Sequence, residues 1–209
     1  MSVVGSSDLL REKSLFEVYR LGRRVPRKPA YKVIEATTAV ALLLWALTSD
    51  LTASELAQRA REWGELGFGF ATAILGFLLA GFAIFTAMMR MDLALMMAQH
   101  VHERSGLSYL KYNLAVFVQV FAEYLAFVAA FVLLALFCSP GGLVPAVIAE
   151  LPRYSEEVRF GSAAGAVVGI GWFLVHLVIR LQAFVFNVYH VVMTIIAWEA
   201  VKQEKPGYE

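Results

Sequence analysis

Polar side chains interrupt two otherwise apolar stretches in the second half of the chain. Gln119 and Glu123 are four residues apart, as are His176 and Arg180, so each pair lies on one face of a helix. An ionisable group at membrane depth is costly and usually faces a partner inside the helix bundle. Counted from the ends of their apolar stretches, Glu123 and Arg180 lie at similar height, which predicts a buried Glu123–Arg180 ion pair.

The polar pattern continues beyond Arg180 at helical spacing, and together with two of the residues above it forms what we call the polar stripe. The polar stripe consists of Gln119, His176, Asn187, His190 and Thr194. One interpretation is that it lines a water-filled path in an oligomeric channel or pore. The other is a set of satisfied hydrogen bonds beside one ion pair. We favour the second, because such bonds commonly join membrane helices.

Patterns typical of enzymes and metal sites are missing from the sequence. His100 and His102 are two residues apart and therefore lie on different faces of a helix, whereas helical metal sites prefer spacings of three or four. His176 and His190 are about 21 Å apart along one helix, too far to share an ion. Cys138 has no histidine close to it in sequence, and no G-x-S-x-G or glycine-rich phosphate loop occurs. We therefore expect no metal, no cofactor and no enzymatic activity.

The composition identifies the setting of these residues as a membrane. Of the 209 residues, 59% are hydrophobic and 17% are charged, against about 45–50% and about 25% in soluble domains. A net charge of +1 argues against direct nucleic-acid binding. Since a helix needs about 20 residues to cross the hydrocarbon, the sequence predicts four spans, over residues 33–50, 66–90, 114–138 and 162–181. The first is the shortest and contains Glu35.

The basic residues predict an orientation. Fourteen Lys and Arg side chains lie in residues 1–32, from the end of span two through the following loop, and from the end of span four onward, whereas four lie in the two opposite loops. This positive-inside pattern predicts a multipass membrane protein with both termini in the cytoplasm. The basic segment, residues 1–32, is expected to meet anionic lipid headgroups. The residues assigned to that contact are Arg20, Arg23, Arg24, Arg27 and Lys28.

Residues 181–198 are long enough to form a fifth span, but Arg180-Leu181-Gln182 contains no residue suited to a chain reversal. We therefore predict one continuous helix from about Gly165 to Glu199 that runs past the membrane. The predicted fold is an all-α polytopic membrane domain over residues 33–200, followed by a tail at 201–209. Helices two to four are extended into a cytoplasmic bundle through residues 91–113 and 182–200.

A seam of small residues follows span two in steps of four and three. It consists of Gly69, Ala73, Gly76, Ala80, Ala83 and Ala87. Small residues let helix backbones approach closely in lipid, where no hydrophobic force drives helices together. The seam therefore indicates helix packing, either against another span of the same subunit or between subunits of a homo-oligomer.

The run GFGFATAILGFLLAGF at residues 67–82 resembles a span of the small four-span membrane components of bacterial anti-phage defence systems, such as the membrane subunit of the Kiwa system. This resemblance implies a homo-oligomeric inner-membrane component that senses envelope disturbance or permeabilises the membrane, beside a cytoplasmic protein partner. Our hypothesis is thus a non-enzymatic membrane sensor or scaffold for such a partner. The alternative is an oligomeric ion channel or pore lined by the polar stripe.

Overall fold

The computed structural model describes residues 12–22, 29–102, 105–139, 141–149 and 155–204. All regular structure in these ranges is helical, apart from one isolated bridge between Val101 and Ser108. The helices are α1 (Leu15–Gly22), α2 (Pro29–Thr48), α3 (Ala53–Met88), α4 (Met91–Gln99), α5 (Tyr109–Phe137), α6 (Leu143–Ala149) and α7 (Ser155–Glu204).

Four of these helices are long and apolar enough to cross a membrane. The candidate spans are Pro29–Thr48, Ala53–Ala87, Tyr109–Phe137 and Glu156–Ala197. The predicted all-α polytopic fold with four transmembrane helices is confirmed. We refer to α2, α3, α5 and α7 as spans one to four. Span one reaches 20 residues because α2 begins at Pro29, and proline suits the first position of a helix.

Helix α3 begins well before the predicted start of span two at residue 66. Its first turn is closed by reciprocal hydrogen bonds between Thr52 and Glu55. The Thr52 backbone N–H donates to Glu55 Oε2 at 2.7 Å, and the Glu55 backbone N–H donates to Thr52 Oγ1 at 3.3 Å. This capping box satisfies donors that would otherwise lack partners. The predicted loop at 50–65 is therefore helical from Ala53 onward.

The predicted helical extension over residues 91–113 is interrupted twice. Arg90 has extended backbone angles (φ −73°, ψ 146°), and α4 begins directly after it. Asp92 in the first turn of α4 favours a new helix start, because a negative charge there complements the helix dipole. The chain then reverses before α5, where Gly106 has a φ of 68°, a value that glycine adopts without strain.

Helix α7 contains 50 residues in one piece, from Ser155 to Glu204. It covers both the predicted span four and the predicted extension at 182–200, with no break at residues 180–182. The reversal that a fifth crossing would need at this point does not occur. At 1.5 Å per residue the helix is about 75 Å long.

The chain forms two compact units. Unit one contains the described parts of residues 1–27, 78–122 and 180–209, and unit two those of 28–77 and 123–179. In unit one, Lys111 Nζ donates to both carboxylate oxygens of Glu12, at 2.8 and 3.0 Å. Phe117 packs there against Phe82 and Phe184, with ring centroids 4.6 and 5.4 Å apart. This unit therefore includes α1, anchored by an ion pair that is mostly buried.

Unit two has a core built largely from small residues. The buried cluster consists of Ala46, Leu56, Ala60, Ala163, Ala164, Val167 and Ile170. These residues come from α2, α3 and α7, and the alanines let the three helices approach one another closely. Trp45 and Trp63 stack beside this cluster, with ring centroids 6.0 Å apart.

Glycines fall into an inward and an outward set within unit two. A Cβ at Gly67 would lie 2.6 Å from Leu174 Cδ2 and 2.7 Å from Phe127 Cζ, and a Cβ at Gly171 would lie 2.7 Å from Leu42 Cδ1. At Gly69 an added Cβ would meet nothing within 4 Å. Close packing inside the unit therefore depends on glycine at the first two positions and not at the third.

We expect Gly67→Ala to lower the free energy of unfolding by about 1–3 kcal/mol, because the added methyl group would collide with the Phe127 and Leu174 side chains. Gly69→Ala is the matched control on the same helix. It should be neutral or stabilise by up to about 1 kcal/mol, through the higher helix propensity of alanine. Unfolding titrations with SDS in mixed micelles measure both. Equal effects of the two substitutions would contradict the packing described here.

Candidate functional site

Three ionisable side chains from three different spans meet in unit two. His176 of α7 lies with its Nδ1 atom 2.8 Å from Glu35 Oε1 of α2 and with its Nε2 atom 3.5 Å from Glu123 Oε2 of α5. All three side chains are mostly buried, at 9% exposure for His176, 15% for Glu35 and 7% for Glu123. We call this group the Glu–His–Glu cluster. It joins spans one, three and four through both nitrogens of one imidazole ring.

The surroundings of the cluster are aromatic and tightly packed. Trp172 stacks on the His176 ring, with centroids 5.4 Å apart and planes at 23°, and Phe173 meets the same ring edge-on at 5.7 Å. The fully buried Tyr124 donates its hydroxyl to the Leu177 carbonyl at 3.0 Å. Trp172 thus covers one face of the His176 ring, and the Tyr124–Leu177 hydrogen bond fixes α5 against α7 next to the cluster.

The chemistry available to this arrangement is proton binding and the electrostatic joining of helices. A carboxylate or imidazolium in an apolar medium is stabilised mainly by its partners, and removing one partner leaves a buried charge that costs several kcal/mol. Within the described residues, no group of three or more His, Cys, Asp or Glu side chains is arranged to hold a metal ion.

The structure brings together two of the sequence-predicted site residues, His176 and Glu123, in a contact that was not anticipated. The Glu123–Arg180 pair stays a prediction, since the two residues belong to different units. Gln119 is buried, and its side chain lies against Gly22 at the end of α1, where an added Cβ would come within 2.7 Å of Gln119 Oε1.

The remaining members of the polar stripe lie further along α7 and are more accessible. Asn187 is half-buried, whereas His190 and Thr194 are exposed. The Thr194 hydroxyl donates to the His190 carbonyl at 2.8 Å, and the His190 ring stacks on Phe186. Both contacts lie within α7. Within the described chain, His190 and Thr194 therefore do not line an enclosed channel.

All six residues of the small-residue seam are exposed. At Gly69 and Gly76 an added Cβ would meet nothing within 4 Å. Among the described residues, no other span covers the seam, which does not favour its packing against another span of the same subunit. The periodicity correctly placed these residues on one face, but a period cannot say which way the face is turned. Packing between subunits stays a prediction.

Sequence reasoning missed two features. Glu35 was noted in span one without being given a partner, although an ionisable residue inside a span is itself a signal of a buried partner. The second feature is a glycine repeat on α7 at spacings of four: Gly161, Gly165 and Gly169. All three glycines are exposed, with nothing within 4 Å of an added Cβ, and a small-xxx-small pattern could have identified them.

Of the residues assigned to lipid headgroups, Arg20 lies exposed in the last turn of α1. Arg23, Arg24, Arg27 and Lys28 lie outside the described residues. The headgroup contact stays a prediction.

Comparison of the chain with protein-family models, with curated proteins and with solved structures finds no match. The function must therefore be inferred from the geometry of this chain and from its composition.

A double-mutant cycle tests the central contact of the Glu–His–Glu cluster. We expect Glu35→Gln and His176→Gln each to lower the free energy of unfolding, and the double variant to lose about 0.5–3 kcal/mol less than the sum, because the two residues interact directly. Unfolding in mixed SDS micelles supplies the four free energies.

The matched control replaces Glu35→Gln by Glu62→Gln on α3. Glu62 is exposed and accepts a hydrogen bond from Gln58 at 3.0 Å. The changes in unfolding free energy caused by Glu62→Gln and by His176→Gln should be additive to within about 0.5 kcal/mol. A coupling energy of zero for Glu35 and His176 would show that the contact does not hold the two helices.

Proposed function

We propose that this chain is a non-enzymatic membrane sensor whose moving element is span one. The observation that carries the proposal is the Glu35–His176 contact. It is a buried polar contact that ties the least buried of the four candidate spans to span four. A change in the membrane that displaces span one has to break this contact.

Span one has little apolar surface in contact with the rest of unit two. Ala46 is the one fully buried residue of α2. In the apolar segment of span one, 6% of the residues are buried, against 44% in that of span four. Large apolar side chains such as Val40, Leu43, Leu44 and Leu47 are exposed along it. Span one is therefore a peripheral helix, and most of its apolar surface is available to lipid.

The polar contact matters more in lipid than it would in water. Apolar side chains exchange protein neighbours for lipid tails at little cost, so apolar burial does not by itself hold a helix in a bundle. Separating Glu35 from His176 takes this partner away from the Glu35 carboxyl group in an apolar medium, which is costly. The held and released positions of span one are thus separated by a discrete energetic step, as a two-state sensor requires.

The long helix α7 supports a role in docking a partner. Its length of about 75 Å is more than twice the thickness of the hydrocarbon, about 30 Å. A substantial part of α7 therefore lies outside the hydrocarbon. An exposed apolar stripe at helical spacing follows its second half: Val185, Phe186, Tyr189, Val192, Met193 and Ile196. A stripe of this kind outside the hydrocarbon is typical of a protein interface. With the termini in the cytoplasm, as the basic residues predict, the partner is a cytoplasmic protein.

We further propose that the sensor is a homo-oligomer of the bacterial inner membrane. The outward direction of the small-residue seam favours contact with a second copy, because small residues allow close approach of helices in lipid. The resemblance of residues 67–82 to defence-system spans makes disturbance of the envelope during phage infection the stimulus that we propose.

The geometry favours a sensor over a channel. The polar groups that would line a path at membrane depth, Glu123 and His176, contact each other and are buried in the chain. His190 and Thr194 lie on the exposed surface. A channel would need these residues to face a common space in an assembly.

Thiol labelling tests the release of span one. In a Cys138→Ser background, Ala46→Cys places a thiol at a position with 0% exposure. We expect a maleimide to label it slowly in proteoliposomes at rest and faster during an osmotic downshift, because displacement of span one uncovers position 46. Adding Glu35→Gln should raise the rate without the downshift, whereas Glu62→Gln should not.

Leu47→Cys is the control for reagent access. Leu47 is the next residue on the same helix and is 58% exposed, so its labelling should not depend on the state of span one. The sensor proposal fails if Ala46→Cys labels at one constant rate under stress, at rest and with Glu35→Gln.

Self-association is tested at the seam. We expect Gly76→Leu to dissociate the oligomer in mild detergent, because a leucine side chain keeps the helix backbones apart. Gly81→Leu is the matched control. Gly81 also has nothing within 4 Å of an added Cβ, but it lies about 140° around the helix from Gly76. Sedimentation or mass photometry should show a smaller particle for Gly76→Leu alone. An unchanged mass for Gly76→Leu would remove the seam from the interface.

A further inference from the structure

Both ring nitrogens of His176 face carboxylate oxygens, at 2.8 Å from Glu35 and 3.5 Å from Glu123. A neutral imidazole carries one N–H, so only one of its nitrogens can donate. The other nitrogen would then present a lone pair to a carboxylate oxygen, which is repulsive. The observed geometry is favourable when the cluster holds one more proton, either on the second ring nitrogen or on the facing carboxyl group.

We propose that the Glu–His–Glu cluster is a proton-binding site whose occupancy decides whether span one is held. This inference rests on the proposed sensor function, because it names a chemical signal that the same contact reads. With the proton bound, both contacts of His176 are attractive and span one is held. When the proton leaves for water, its bonding electron pair stays on the ring nitrogen or carboxylate oxygen, and one contact becomes repulsive.

The contact that opens is the one to Glu35. Helices α5 and α7 are fixed to each other beside the cluster by the Tyr124–Leu177 hydrogen bond and by packing of Phe127 on Phe173, with centroids 5.3 Å apart. Glu123 and His176 are therefore kept close whatever their charge. Besides Glu35, span one opposes its displacement with one fully buried residue, Ala46, and with partly exposed contacts such as Trp45 on Trp63.

Among the described residues, the ionisable groups that contact His176 or lie next to it on its own helix can be assigned to their helices. Span one contributes Glu35, span three contributes Glu123 and the Tyr124 hydroxyl, and α7 carries Arg180 four residues further on. Span two has no charged residue between Glu65 and Arg90. Binding or loss of one proton at the cluster therefore changes the net charge of a small group of side chains by one unit.

Trp172 provides a direct optical probe, because it stacks on the His176 ring. A protonated imidazole quenches indole fluorescence more strongly than a neutral one. The experiment uses a single-tryptophan protein in which Trp45, Trp63 and Trp198 are replaced by Phe, in phosphatidylcholine vesicles. Fluorescence of Trp172 is recorded between about pH 5 and pH 9, the range over which histidine changes charge.

We expect the fluorescence to rise in one transition as the pH increases. His176→Gln should abolish the transition, and Glu35→Gln should move it to lower pH, because a carboxylate that favours the bound proton is lost. His190→Gln is the matched control on the same helix and should change nothing. A flat profile, or a transition that persists in His176→Gln, would overturn the proposal.

A second measurement keeps all four tryptophans, so that it does not depend on packing of the substituted rings. Labelling of Ala46→Cys in the Cys138→Ser background, corrected for the pH dependence of Leu47→Cys labelling, should rise about 5- to 150-fold across the same transition, the range typical of coupling between sites. A corrected rate that does not change with pH would show that proton binding and span one are not coupled.

The two proposals fail in different ways. If the osmotic downshift raises Ala46→Cys labelling and pH does not, the sensor stands and the proton is not its signal. If neither stimulus raises labelling although Trp172 reports a transition, the cluster binds a proton but span one is not a moving element.

Discussion

The absence of water around the spans is the constraint on which the rest of the structure depends. Backbone groups are satisfied within helices, so the chain is helical wherever it can cross the membrane. Ionisable side chains do not find hydrogen-bond partners in the same way within their own helix, and they need partners from other helices. Glu35, Glu123 and His176 supply partners to one another. Their contact therefore determines which spans are neighbours in unit two. Apolar side chains do not determine this, because they interact with lipid tails as favourably as with another helix.

Glycine divides the helix surfaces into faces with different roles. Gly67 and Gly171 accept aromatic and leucine side chains from neighbouring helices, so their lack of a side chain is used within the subunit. Gly76 on α3 and Gly165 on α7 are exposed, and among the described residues nothing lies within 4 Å of a Cβ added at either one. Glycine lowers helix propensity by about 1 kcal/mol relative to alanine in a helix interior. Outward glycines on two spans are therefore a cost that close contact with another helix would offset.

Much of the fold follows from the sequence, because span length and apolarity are local properties. The continuity of α7 was predictable from the absence of Gly, Pro and Asn at residues 180–182. The start of α3 was missed because charged residues between Glu55 and Glu65 hid the capping box formed by Thr52 and Glu55. The direction of the seam was undetermined, since a period defines a face and not its neighbour. Counting residues from the ends of the spans could not identify the partner of Glu123 either. His176 and Arg180 are about one helical turn apart on the same face, so both are candidates.

The position of Glu35 near the beginning of span one has a mechanical consequence. Ala46, the one fully buried residue of α2, lies near the opposite end of the helix, about 16 Å away at 1.5 Å per residue. Two well-separated attachment points define a helix orientation better than one extended apolar contact that can slide in lipid. They also differ in kind, because Ala46 is held by shape and Glu35 by charge. Loss of the charged attachment therefore leaves the apolar contact at Ala46, which lipid tails replace at little cost, so position 46 is uncovered as span one is displaced. In the proposed sensor, a change at the Glu–His–Glu cluster near the amino-terminal end of span one would thus be detected at Ala46, about 16 Å further along the helix.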